Sequence, residues 1–128
     1  MGKYKYDKID GYIPIYEMPY VLITNKDQFN KRYADSLGID ISNTSGLSAR
    51  IIFEIKDKEE GVPGILMCLF DISPNTITHE CCHAALDIMD YIGETNILDS
   101  QEPFCYLVGW LVDEMLSVID KRVLKGTL

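Results

Sequence analysis

The stretch Thr78-His79-Glu80-Cys81-Cys82-His83-Ala84-Ala85-Leu86 holds both histidines of a 128-residue chain. On a helix each residue turns the side-chain direction by about 100°, so His83 follows His79 by about 40° and Glu80 lies about 100° round. Asp90 and Asp87 fall at about 20° and 80°, while Cys81, Ala84, Ala85, Ile88 and Ile92 occupy about 140–240°. Every group capable of metal or acid–base chemistry is thus on one polar stripe, backed by a broad apolar face. Two imidazoles one turn apart can bind a single Zn²⁺, and a glutamate between them can reach a bound water and take its proton. The plainer reading of the same residues is a pair of solvated histidines on an acidic helix face.

A catalytic zinc takes three protein ligands and keeps one position open. With no third histidine in the chain, a carboxylate or a thiolate has to complete the set. Glu102 is the strongest candidate, 19 residues beyond His83 and at the start of the next predicted helix. Its alternative is an exposed first-turn acid favoured by the helix dipole. Asp99 is near enough to substitute for it. Asp87 and Asp90, on the histidine helix itself, are poorly placed for a tetrahedron. Cys82, about 60° from His79, is a thiolate alternative. Cys81 points into the apolar back and reads as a core thiol.

His-Glu-x-x-His is the zincin signature. With Glu102 about twenty residues downstream, the chain resembles the gluzincins, the thermolysin-like HExxH metallopeptidases whose third ligand is such a glutamate on a following helix. The likeness rests on HECCHAALD and QEPFCYLVGW, roughly a third of the sequence. The chain is also similar to small phage- and prophage-encoded HExxH proteins that pair such a helix with an E-P-F-A-Y-like segment. The SprT group shares an H-E-x-C-H-A-A start but takes its third ligand from a histidine that is lacking here. The resemblance implies a zinc-dependent peptidase in which His79, His83 and Glu102 bind the metal and Glu80 is general base and acid. It also implies an edge strand beside the helix that holds an extended substrate by β-augmentation.

On the next helix Tyr106, Asp113, Ser117 and Asp120 follow Glu102 within about 60°. Gly109 lies beside that stripe, where a missing side chain would let the histidine helix approach. Thermolysin-type gluzincins often place an aspartate where this chain has Tyr106. The Tyr106 hydroxyl could accept from an imidazole N–H or donate to a developing oxyanion, or the ring could simply pack. Tyr91 and Arg50 are the other candidates to stabilise an oxyanion.

The elements that position these residues follow from pattern. YVLITN (20–25) reads as a strand, KDQFNKRYADSL as a helix stopped by Gly38, and 39–48 as turn chemistry. ARIIFEIK alternates as a half-buried strand should. Residues 57–64 form a hairpin-like connection to ILMCLFDI, a strand expected in the centre of the sheet. Ser73 and Pro74 open the histidine helix and Gly93 closes it. Asp99 or Ser100 caps a second long helix from about Gln101 to Arg122. The expected fold is α+β: one minimal zincin-like domain over 1–128, a small mixed sheet against an active-site helix and a long C-terminal helix, with residues 1–12 irregular.

Composition sets the outer limits. An apolar fraction of 47% and a charged fraction of 25% are those of a globular protein able to bury a core. A formal charge of −8 argues against nucleic acid or an anionic membrane as partner. Four cysteines in apolar surroundings and no secretory h-region point to a reducing, cytoplasmic setting. The expected partner is a peptide or protein substrate, with specificity supplied by a homo-oligomer, a protein partner, or the 39–48 and 57–64 loops. The competing expectation is a non-catalytic module of mobile-element type that binds another protein, with a structural zinc or none.

Overall fold

The computed structural model describes residues 3–5, 9–55 and 58–128, with the backbone alone described at 3–5. Its elements are β1 (Lys3–Lys5), β2 (Gly11–Ile13), β3 (Met18–Ile23), a helical segment made of α1 (Lys26–Phe29), a π-helical turn (Asn30–Ala34) and α2 (Asp35–Leu37), then β4 (Gly46–Glu54), β5 (Val62–Leu69), α3 (Pro74–Tyr91) and α4 (Gln101–Lys125). The fold is α+β, and from β3 onward the order is the expected strand, helix, strand, strand and two long helices.

The strands form one mixed sheet in the order β1-β4-β5-β3-β2. β5 pairs antiparallel with β4 and parallel with β3, so its unbroken apolar run is buried in the centre as expected. β3 and β5 alternate between two cores. Tyr20, Leu22, Ile65, Met67 and Leu69 turn toward α3 and α4. Val21, Ile23, Leu66 and Cys68 turn to the other face, where Phe29 and Tyr33 of the short helical segment cover them. Alternation of period 2 in the strands sorts the residues, and helices on both faces give each set something apolar to meet.

The lead-in expected to be irregular over 1–12 instead supplies two edge strands in its described part, while residues 1–2 and 6–8 lie outside the described residues. Lys3–Lys5 pairs parallel with Ile52–Glu54, and Gly11–Ile13 pairs antiparallel with Met18–Tyr20. Three-residue pairings are too short for a period-2 pattern to show. The 57–64 connection is likewise described only from residue 58.

The caps of α3 are those expected. Ser73 accepts a hydrogen bond from the Thr76 N–H, Pro74 takes the first turn, and Gly93 follows the helix at φ 85°, a conformation that favours glycine. At α4 the capping differs. Ser100 occupies the cap position but spends its hydroxyl on Glu94 Oε2 at 2.8 Å, and Asp99 accepts from Asn96 at 2.6 Å. Both side chains fasten the 92–100 connection rather than the helix end.

Candidate metal site

α3 lies on the sheet with Ile77, Cys81, Ala84, Ala85, Ile88 and Met89 buried beneath it. That packing leaves His79 and His83 on the outer face, both exposed. Their Nε2 atoms are 3.2 Å apart, with the rings edge to face. Two imidazoles on one tetrahedral zinc, each at about 2.0–2.1 Å, would hold their nitrogens roughly 3.3 Å apart. The pair therefore presents two nitrogen donors already at chelating separation, and the donor set fits a divalent cation such as zinc.

Glu80 lies deeper than the polar stripe suggests: it is 7% exposed. β4 closes over it at Gly46, where an added Cβ would stand 2.8 Å from Glu80 Cγ and 3.0 Å from both the Cys68 carbonyl oxygen and Thr76 Cγ2. Only a residue without a side chain lets strand and helix meet this closely. Burial pushes the Glu80 carboxyl above the usual glutamate range, partly offset by His79 and His83. Its Oε2 is 4.0 Å from His79 Nε2. A carboxyl group inclined to accept a proton thus sits beside the two nitrogen donors.

β4 is fastened to the second half of α3 by Arg50. Its Nη1 donates to the Asp87 carbonyl at 3.1 Å, its Nη2 to Asp90 Oδ2 at 3.2 Å, and the guanidinium lies 5.9 Å from the centre of the Tyr91 ring. Burial raises the Asp87 carboxyl, opposed by Arg50 and His83. Arg50 and Tyr91, both weighed as oxyanion stabilisers, are engaged with each other and with the C-terminal half of the helix. Ser48, between Gly46 and Arg50 on the same side of the strand, has a buried hydroxyl without a hydrogen-bond partner among the described residues.

The second helix contributes less than its sequence stripe suggests. α4 turns Leu107, Leu111, Met115 and Ile119 into the core. Glu102, Tyr106, Gly109 and Asp113 are all exposed. A Cβ at Gly109 would meet nothing within 4 Å, so this glycine is not what lets the two helices approach. Among the described residues, no third histidine, cysteine, aspartate or glutamate joins His79 and His83 in a group that could hold a metal. Cys81 is a core thiol, pushed up to about 12 chiefly by burial, and Cys82 is half-buried.

The sequence pattern singles out the histidines and Glu80 but not Gly46 or the Arg50 clamp. Both act across a strand–helix contact between residues more than thirty positions apart, and nothing in the local pattern of either segment signals it. Compared with known proteins, the chain matches no family model, and no curated protein or solved structure matches it significantly. No helix among the described residues is long and apolar enough to cross a membrane.

Proposed function

We propose that the chain is a small zinc metallopeptidase in which His79 and His83 hold the metal, Glu102 is the third ligand and Glu80 is the general base. The observation that carries this reading is the convergence on one helix face of two Nε2 atoms 3.2 Å apart and a buried carboxyl 4.0 Å from one of them. Bound zinc would supply Lewis acidity, lowering the pKa of a coordinated water toward neutrality. Glu80 takes a proton at its carboxylate and delivers it to the departing amine, a task suited to a carboxyl whose burial strengthens it as a base. Glu102 makes no hydrogen bond or ion pair with a described residue, so its side chain is free to turn toward a metal. Tyr106, one turn further along, is the proposed partner for an imidazole N–H or an oxyanion.

The substrate proposed is an extended peptide. Among the described residues, β4 is paired with β5 along most of its length but with β1 only from Ile52 onward. The segment from Gly46 to Ile51, beside Glu80, thus has one edge open to an added strand. A peptide-library assay with zinc-loaded protein tests the reading: cleavage that Glu80→Gln abolishes while zinc stays bound supports it. A second reading, a non-catalytic module with a structural zinc or none, draws on the missing third side chain in the described group. Retained zinc with no cleavage of any library member would favour that module.

A further inference from the structure

At the opposite side of the sheet from β4, the carboxyl end of β3 opens into a cleft of about 700 Å³. Residues 21–25, the end of β3 and the turn beyond it, line the cleft together with Asp10, which precedes β2. Here the walls come from the start of α1 and the end of α4.

The lining is basic in a chain that is strongly acidic overall. Arg32, Lys121, Arg122 and Lys125 border the cleft, against one acidic side chain, Asp10. That acid is already engaged, since its Oδ2 accepts from the Leu22 N–H at 2.7 Å and its Oδ1 from Arg122 at 3.0 Å. Arg122 is held by one nitrogen, Nη2, which also donates to the Leu22 carbonyl at 2.9 Å. Its remaining N–H groups make no hydrogen bond with a described residue, on a side chain that is only 20% exposed and fixed in direction. Lys121 and Lys125 flank it on the same helix end. Complementing the helix dipole accounts for a cation there, but not for an arginine anchored by a buried-edge carboxylate with most of its donors unspent.

We propose that this cleft binds a small phosphate-bearing molecule, with Arg122 as the oriented fork and Lys121 and Lys125 as point charges. The volume is that of an ordinary small-molecule site. The Asn25 side chain, whose oxygen caps α1, also borders the cleft, with its amide N–H₂ as a further donor. The inference is independent of the histidine site, and the two can fail separately.

The test is a ¹H–¹⁵N titration of the intact chain with inorganic pyrophosphate at 150 mM NaCl, with citrate, of similar charge, as comparison. The expected result is saturable shifts confined to Thr24, Asn25 and Lys121–Thr127, with pyrophosphate at least tenfold tighter than citrate. Lys121→Ser/Lys125→Ser, which leaves the Asp10 anchor in place, should weaken pyrophosphate at least tenfold with the rest of the spectrum unchanged. Non-saturable or scattered shifts, equal affinity for citrate, or full affinity in the double variant would each overturn the proposal.

Discussion

At the scale of the residue, the burial of Glu80 is the feature with the most consequence. A carboxyl kept from water is costly to ionise, so the zinc-free protein carries a destabilising group where catalysis would want a strong base. Its folded-state pKa lies above the unfolded value, so the folded state favours the protonated form. The stability associated with that proton is present at pH below the ordinary glutamate range and is lost as pH rises through the raised pKa. Glu80→Gln should therefore stabilise the zinc-free protein at pH 8 by on the order of 1 kcal/mol, with the difference vanishing near pH 4. Thermal unfolding of both proteins with chelator across that range checks it. A variant less stable than wild type throughout would show that the carboxylate is held by favourable contacts instead. The identity of Glu80 was legible in its spacing from the histidines. Its burial was not, because helical geometry places it on the polar stripe and only the strand across it decides otherwise.

At the scale of the element, the contact between β4 and α3 is where fold and site depend on each other. Gly46→Ala puts a methyl group 2.8 Å from Glu80 Cγ and 3.0 Å from the Cys68 carbonyl oxygen, so strand or side chain has to move. Overpacking of this kind costs about 1–3 kcal/mol. We expect cleavage to fall far more than zinc affinity, because the imidazoles face away from the strand. A variant that loses zinc and cleavage together would contradict that division. The β2–β3 turn carries a separate cost: Ile15 and Glu17 adopt φ of 71° and 52°. Ile15 is 74% exposed, so little packing is lost on removing it. Ile15→Gly should raise stability by roughly 0.5–1 kcal/mol, read as the urea midpoint at unchanged slope. The long elements were readable because Ser73-Pro74, Gly38, Gly93 and the apolar run of β5 each carry a local physical cause. The three-residue edges β1 and β2 exist only through their partners β4 and β3, and no local pattern announces such dependence.

At the scale of the whole molecule, one sheet covered on both faces carries two separate functional proposals, the histidine pair beside β4 and the basic cleft beyond β3. The net charge of −8 conceals the second, since composition sums what the fold segregates. The proposed third metal ligand is likewise a question of the whole molecule, because Glu102 belongs to a helix whose buried stripe was set by the core. If that ligand is recruited, zinc binding ties α4 to α3. Zinc at 100 times the wild-type dissociation constant raises global stability by about 2.7 kcal/mol by mass action alone. At that same zinc concentration Glu102→Ala should show a smaller gain, while a variant that keeps the full gain would remove Glu102 from the ligand set.

The most direct test is the zinc content of purified, untagged protein by elemental analysis, wild type beside His79→Ala and Glu80→Gln. About one zinc per chain is expected in wild type and in Glu80→Gln, and none in His79→Ala. Wild-type protein that holds no zinc even after the metal is supplied and the excess removed would contradict it.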